Sequence, residues 1–166
     1  MSIAVYAGTF DPITQGHLSV VRQAVRLFNH VVVLVAVNPK KVTLFTIEER
    51  LEMIREAVKM HPNVTVNFTR GFVVEHARLI GANILLRGIR GATDALFETD
   101  LAEQNRGLAP EIATLLIPAS ASLSEVSSSR LKELARAGED LTKFCTEEIA
   151  AKLQVKYGHR VPEEGP

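Results

Sequence analysis

The chain has 166 residues, of which 46% are hydrophobic and 23% are charged, and its 19 basic and 19 acidic residues cancel. The hydrophobic content predicts a globular protein, because disordered chains are less hydrophobic, and the absence of a long apolar run predicts a soluble one without a membrane partner. Since nucleic-acid binding favours a basic surface, the zero net charge predicts no nucleic-acid partner. Its single cysteine, Cys145, cannot form an internal disulfide and no signal-peptide pattern opens the sequence, so we expect a cytoplasmic location.

Five short apolar runs rich in Val, Ile and Leu predict buried strands, which need not alternate with polar residues when both faces of a parallel sheet are covered. Between them, apolar residues recur at three- and four-residue steps, which is typical of a helix with one apolar face. This alternation predicts an α/β fold: a Rossmann-like, doubly wound sheet of five parallel strands in a single domain. We expect that domain over 1–158 and a flexible tail over 159–166. The predicted strands are residues 3–7, 31–37, 64–68, 83–87 and 112–118.

The first predicted strand ends in GTFDPITQGH, residues 8–17, and the chain has neither a GxGxxG nor a GxxxxGK(S/T) phosphate fingerprint there. Gly8 lets the backbone approach a ligand closely, Thr9 supplies a hydroxyl and Pro12 fixes the turn. Gly16 clears space before the next helix. His17 lies at the start of that helix, where unpaired backbone N–H groups attract an anion. The loop is therefore predicted to handle phosphate.

Basic and hydroxyl residues follow the other predicted strands at the same edge, which is where doubly wound sheets bind ligands. Lys40 and Lys41 lie in NPKKVTLF, just before TIEER, a capping box that predicts the start of the second helix. Arg87 and Arg90, in RGIR, suit bidentate recognition of phosphate. The serines of SEVSSSR predict a hydroxyl-capped helix start, which is also an anion site.

The four residues TQGH resemble the (H/T)xGH signature that the nucleotidyltransferase superfamily shares with class I aminoacyl-tRNA synthetases. The longer run GTFDPITQGH resembles the version found in bacterial phosphopantetheine adenylyltransferases. Three further stretches are similar to the same family in the same order, namely PKKVTLFTIEER, LLRGIRGATDALFETDLAEQNR and SEVSSSRLKEL. The resemblance extends from about Ile3 to about Phe144.

The resemblance implies transfer of the adenylyl group of ATP to 4'-phosphopantetheine in coenzyme A biosynthesis, giving dephospho-coenzyme A and pyrophosphate. It implies direct in-line attack without a covalent intermediate, Mg²⁺ accompanying ATP, feedback inhibition by coenzyme A, and a homohexamer built as a dimer of trimers. No residue is assigned as a metal ligand. Asp11 can be a turn-forming residue or can approach a metal through water, and the turn is the simpler interpretation.

The resemblance also implies a role for particular residues. Those implied to be catalytic are His17, Lys41 and Arg90. Those implied to bind the nucleotide are Thr9, Phe10, His17, Gly88, Ile89, Arg90, Glu98, Leu123, Ser124, Glu125, Val126, Ser127, Ser128 and Ser129. Those implied to bind the acceptor are Thr9, Lys41, Val73 and Arg87, with Phe72 beside Val73 as an apolar wall for the pantetheine arm.

Some alternatives stay open at the level of the sequence. Lys40 could replace Lys41 on chemistry alone, and only the resemblance favours Lys41. The chain could be another small nucleotidyltransferase, acting on nicotinate mononucleotide or glycerol 3-phosphate, although the lysine loop and RGIR argue against that. A nucleotide-binding protein without catalysis is also possible, although loss of His17 or of the arginines would be expected there. A class I synthetase is disfavoured because the chain is too short for a tRNA-binding domain and has no net positive charge.

Overall fold

The computed structural model of the chain describes residues 1–158. Its elements in chain order are β1 (Ile3–Gly8), α1 (Gln15–Leu27), β2 (His30–Ala36), α2 (Ile47–Val58), β3 (Val64–Thr69), α3 (Val73–Leu79), β4 (Ile84–Ile89), α4 (Ala92–Leu108), β5 (Ala113–Pro118), α5 (Ser128–Ala137) and α6 (Glu147–Lys156), with a short 3-10 turn at Ala121–Leu123. The five strands form one parallel sheet in the order β3-β2-β1-β4-β5. The predicted fold class and all five predicted strands are therefore confirmed, with ends shifted by one or two residues.

The predicted start of the second helix is also confirmed. Thr46 Oγ1 accepts a hydrogen bond from the backbone N–H of Glu49 at 3.1 Å, and Glu49 Oε2 accepts one from the backbone N–H of Thr46 at 2.8 Å. This reciprocal pair fixes where α2 begins and therefore where the lysine-bearing loop before it ends. The tail predicted for 159–166 lies outside the described residues.

The core lies on both faces of the sheet because β1 and β2 are buried on both. Along β1, Ala4 and Tyr6 pack in the larger core beneath α1, α2, α5 and α6, whereas Val5 and Ala7 pack in a smaller core with α3. The chain crosses from β1 to β2 and β3 on one side and returns to β4 on the other. The strand order thus reverses between β1 and β4, and the carboxyl ends of these two strands flank the crevice where ligands of such sheets bind.

The helix α4 is covered far less than the others. Of its 17 residues only Glu98 is buried, and Leu96 and Phe97 are 72% and 65% exposed. Leu79 on α3 and Leu115 on β5 are exposed as well. Within residues 1–158, no helix is both long and apolar enough to cross a membrane.

Candidate active site

The loop after β1 is held rigid by a buried aromatic side chain. Phe10 adopts a left-handed backbone conformation with φ 47°, and its ring is 2% exposed. That ring meets Tyr6 edge-on at a centroid distance of 5.3 Å and His17 edge-on at 5.0 Å. The three rings form one cluster, so the sharp turn out of β1 also determines where the His17 imidazole stands.

Thr14, the N-cap of α1, sets the protonation of His17. The backbone N–H of Thr14 donates to Nδ1 of His17 at 3.0 Å, and Thr14 Oγ1 lies 3.0 Å from the same nitrogen. Because a backbone N–H can only donate, Nδ1 accepts, and the neutral ring carries its proton on Nε2. Burial, followed by the charges of Arg90 and Arg87, lowers the pKa of His17 to about 4. At neutral pH His17 is therefore an uncharged donor through Nε2–H.

His17 opens onto a first cleft of about 350 Å³ between the carboxyl ends of β1 and β4 and the N-terminal ends of α1 and α5. The segment before α5 packs closely on the loop after β1. Ser128 Oγ donates to the carbonyl of Pro12 at 2.8 Å, and a Cβ on Gly16 would lie only 3.2 Å from the carbonyl oxygen of Val126. Ser127 caps α5 by accepting from the backbone N–H of Arg130 at 3.1 Å. The space that Gly16 clears is thus taken by the backbone of this segment.

Arg87 lies at the boundary of this cleft and is held by Glu98. The guanidinium donates from Nε and Nη2 to the two carboxylate oxygens of Glu98 at 2.6 and 2.8 Å, and from Nη1 to the carbonyl of Ala7 at 2.6 Å. Glu98 is 8% exposed, whereas the Arg87 side chain is 23% exposed, so the carboxylate is shielded from water while the guanidinium faces the cleft. Arg87, which was predicted to bind the acceptor, and Glu98, which was predicted to bind the nucleotide, are therefore bonded to each other.

Arg90 has a similar partner that the sequence analysis missed. Its Nε and Nη2 donate to Asp94 at 2.7 and 3.1 Å, and its backbone N–H donates to the same carboxylate at 3.2 Å. The Arg90 side chain lowers the pKa of Asp94. Asp94 also lines the first cleft. The four-residue separation between them is the sequence signal that could have identified the pair, since residues so spaced meet where a helix begins.

A second cleft of about 560 Å³ adjoins the first, with Arg87 lining both. One wall is apolar and includes Phe72, Val73 and Leu101, and Lys41 lies at its polar side. Lys40 does not line either cleft, so the geometry favours Lys41 of the two neighbouring lysines. An elongated molecule with an anionic end and an uncharged arm would match this combination of lysine and apolar wall.

The predicted site residues divide into three groups. Those that line the first cleft are Thr9, Phe10, His17, Arg87, Gly88, Arg90, Glu98, Val126, Ser127 and Ser128. Those that line the second are Thr9, Lys41, Phe72, Val73 and Arg87. Those that line neither of these two clefts are Ile89, Leu123, Ser124, Glu125 and Ser129. Their roles toward ligands stay predictions.

A buried junction behind the clefts was also missed from the sequence. Asp11, 4% exposed, accepts from the backbone N–H groups of Leu44 and Phe45 and from Lys132 Nζ, each at 2.9 Å. The carboxylate therefore joins the loop after β1, the segment before α2 and the helix α5. Its oxygens are engaged in these contacts, which argues against an approach to a metal through water.

Arg50 supports the same loop from α2. It is 3% exposed and donates from Nη1 to the carbonyl of Thr9 at 2.9 Å. Thr9 lines both clefts, so this bond fixes the backbone that the two clefts share. Within residues 1–158, no group of three or more His, Cys, Asp or Glu side chains is arranged to hold a metal ion.

Comparison with known proteins places this geometry in context. A family model described as cytidylyltransferase-like matches residues 5–134. Three curated relatives are named phosphopantetheine adenylyltransferase. The one from Herpetosiphon aurantiacus is 45% identical over 157 residues, 95% of each chain. The one from Desulforudis audaxviator is 44% identical over 160 residues, 96% of this chain and 98% of its own, and the one from Heliobacterium modesticaldum is 39% identical over 166 residues, 100% and 99%.

Solved structures show a likeness of fold. A protein from Vibrio parahaemolyticus described as a nicotinate-nucleotide adenylyltransferase superposes with a TM-score of 0.68 over 93% of both chains, at 15% identity. A lipopolysaccharide core biosynthesis protein from Thermoplasma volcanium gives a TM-score of 0.52 at 22% identity, over 72% of this chain and 97% of its own. At such identities the resemblance concerns the fold alone.

Proposed function

Because the chain belongs to the phosphopantetheine adenylyltransferase family of cytidylyltransferase-like proteins, we propose that it transfers the adenylyl group of ATP to 4'-phosphopantetheine in coenzyme A biosynthesis. An oxygen of the acceptor 4'-phosphate attacks the α-phosphorus of ATP in line. The bond from the α-phosphorus to the oxygen bridging to the β-phosphate breaks, so that dephospho-coenzyme A forms and pyrophosphate leaves. The reaction needs no covalent enzyme intermediate, and its catalysis rests on positioning and charge stabilisation.

The second cleft is proposed to hold the acceptor. Lys41 binds the 4'-phosphate, and the wall with Phe72 and Val73 contacts the pantetheine arm. Thr9 and Arg87, which line both clefts, stand where the two phosphates would meet. The observation that carries the proposal is this continuity: a cleft rich in phosphate donors opens through shared residues into an apolar cleft with a lysine.

The first cleft is proposed to hold the triphosphate of ATP. His17 donates from Nε2–H to an oxygen of the α-phosphate, and Arg90 neutralises charge that develops during the transfer. The neutral imidazole suits this role, because it stabilises the transition state without proton transfer to or from the phosphate. Removing one such donor commonly lowers kcat by about 100- to 1000-fold.

The test is pyrophosphate release from ATP and Mg²⁺, measured with and without 4'-phosphopantetheine, in wild-type and His17→Ala protein. We expect release that requires the acceptor and that falls about 100-fold or more in the variant, with ATP affinity changed far less. Parallel reactions with nicotinate mononucleotide and glycerol 3-phosphate test the alternative acceptors. ATP binding without release with any of them would instead favour a non-catalytic nucleotide-binding protein.

Several further features belong to the proposal. Mg²⁺ would arrive with ATP, because it prefers phosphate oxygens and water as ligands. Coenzyme A acts as a feedback inhibitor, because it combines the pantetheine arm and the adenine nucleotide of the two substrates. The buried thiol of Cys145 is in keeping with a cytoplasmic location.

We also propose a homohexamer, with the exposed apolar side chains on α3, α4 and β5 at its interfaces. Leu79, Leu96 and Leu115 are 86%, 72% and 42% exposed in the single chain, and a contact between subunits would remove such apolar side chains from water. Light scattering coupled to size-exclusion chromatography tests the assembly. Leu96→Glu is expected to reduce the measured mass, and a wild-type protein that elutes as a monomer would contradict the proposal.

A further inference from the structure

Tyr6 places a phenol at the floor of the first cleft. It is 4% exposed, lines this cleft and not the second, and its ring packs edge-on against Phe10. Among residues 1–158 its hydroxyl has no hydrogen-bond partner, although the groups around it are extensively bonded. Within residues 1–158 the polar side-chain atoms that are fully buried without a partner are on His76 and Thr114, so the Tyr6 hydroxyl is open to the first cleft, where a ligand can meet it.

Glycine at position 88 leaves room for this hydroxyl. A Cβ on Gly88 would lie 3.3 Å from the Tyr6 hydroxyl oxygen and 2.9 Å from Cγ2 of Val20. Any larger residue would therefore cover the phenol and narrow the cleft at this point. Gly88 also follows Arg87 directly, so the hydroxyl lies beside the cationic rim of the site.

The surroundings of the phenol favour an anionic partner. Burial raises the pKa of Tyr6, so the hydroxyl keeps its proton and can donate. The Tyr6 ring centroid lies 6.4 Å from that of His17, whose Nε2–H is also a donor, and Arg87 adds a positive charge nearby. The two carboxylate oxygens of Glu98 already accept from Arg87. These donors favour a ligand atom that accepts hydrogen bonds, and phosphate oxygens are the acceptors that the cleft is proposed to take.

We propose that the Tyr6 hydroxyl binds the nucleotide by donating a hydrogen bond to a phosphate oxygen in the first cleft. This inference rests on the proposed function, in which that cleft takes ATP. Since Tyr6 does not line the second cleft, its contribution concerns the nucleotide and not the acceptor. A purely structural role would come from the ring, through its packing on Phe10, and phenylalanine would preserve it.

Tyr6→Phe removes the hydroxyl alone, and Tyr157→Phe is the matched control. Tyr157 follows α6, where Arg136 stands 5.3 Å from its ring centroid, and it lines neither cleft. For Tyr6→Phe we expect α,β-methylene-ATP to bind about tenfold or more weakly in calorimetry, since a hydrogen bond to a charged group is lost. The KM for ATP should rise similarly, while the KM for 4'-phosphopantetheine and the melting temperature stay at wild-type values. Tyr157→Phe should leave all four quantities unchanged.

A second measurement does not depend on the stability of Tyr6→Phe. The sequence contains two tyrosines, so Tyr157→Phe leaves Tyr6 as the only one. In that protein, ring-labelled tyrosine gives a single Cζ signal, which should shift saturably as α,β-methylene-ATP is added. An unshifted signal at saturation would overturn the inference, as would a Tyr6→Phe protein whose analogue affinity lies within twofold of wild type.

The outcomes separate this inference from the proposed function. If wild-type protein releases no pyrophosphate with 4'-phosphopantetheine, the proposed reaction fails, but analogue binding and the Cζ signal still report on Tyr6. If wild type turns over and Tyr6→Phe has the same KM for ATP, only the role of Tyr6 fails. Equal increases in the KM of both substrates would also overturn it, because they would indicate a general disturbance of the fold.

Discussion

The junction at Asp11 makes a strong prediction about how the site is held together. Its carboxylate accepts three hydrogen bonds from Leu44, Phe45 and Lys132 while only 4% exposed. Asp11→Asn keeps the shape of the side chain but turns one oxygen into an N–H donor. At least one backbone N–H of the lysine-bearing segment would then face another donor, and the ammonium of Lys132 would lose its carboxylate.

The magnitude follows from these contacts. A buried N–H left without an acceptor costs about 1–3 kcal/mol. The Lys132 side chain is 25% exposed and can turn to water, so the loss of the ion pair adds about 1 kcal/mol rather than the full cost of a buried charge. We therefore expect Asp11→Asn to lower the free energy of unfolding by about 2–4 kcal/mol, which leaves a domain of ordinary stability folded.

Urea unfolding followed by circular dichroism measures this change, and a double-mutant cycle isolates the ion pair. Lys132→Met removes the ammonium and keeps much of the side-chain length, so the Asp11→Asn/Lys132→Met protein should be more stable than the sum of the single changes predicts. Because Lys41 lies in the segment that Asp11 anchors, the Asp11→Asn protein should also have a higher KM for 4'-phosphopantetheine. A loss below about 0.5 kcal/mol, within the range of ordinary surface substitutions, would refute the reasoning.

Three further predictions concern single side chains. Lys41→Met should lower kcat/KM for the acceptor about tenfold or more in steady-state kinetics, because a charge-assisted hydrogen bond is lost. Lys40→Met should change kcat/KM little, and equal losses in the two variants would contradict the assignment of Lys41. His17, with its pKa near 4, should make the ligand-free protein lose about 1.5 kcal/mol of stability from pH 6.5 to 5, since the unfolded state increasingly binds a proton that the folded state does not. That loss should be absent in His17→Gln, as urea titrations at both pH values will test. Cys145, 2% exposed and with its pKa raised to about 12 by burial, should resist iodoacetamide at pH 8 until denaturant is added, as mass spectrometry can measure.

Parallel strands buried on both faces are easy to recognise in the sequence, and that is why all five were predicted within two residues. The helix α3 was not predicted, because seven residues span about two turns and display no clear period. The loop after β1 was predicted to handle phosphate from its breakers and from its place after that strand, and it lines the first cleft. The contact between Asp11 and Lys132 that supports this loop was not predicted, because the two residues are 121 positions apart and no spacing rule connects them.

The roles of the glycines illustrate the same limit. Gly16 was expected to clear space before the next helix, and the group that uses this space is the carbonyl oxygen of Val126, which would lie 3.2 Å from a Cβ at that position. Sequence identifies a position where the backbone needs room, but the group that fills the room comes from a distant part of the chain. The residues alone also could not decide between Lys40 and Lys41, because only the folded loop shows that Lys41 lines the second cleft.

Each of the two arginines of RGIR is paired with a carboxylate at the site, Arg87 with Glu98 and Arg90 with Asp94, and the sequence did not predict these pairs. Arginine has five N–H donors. Arg87 uses three of them on Glu98 and Ala7, and Arg90 uses two side-chain donors on Asp94. Each guanidinium therefore keeps donors for a phosphate while its plane is fixed by a carboxylate. The carboxylates also offset two positive charges that would otherwise repel each other beside the neutral ring of His17. The remaining donors are what the proposed phosphate binding requires, since a phosphate could then bind at these arginines without first breaking an ion pair.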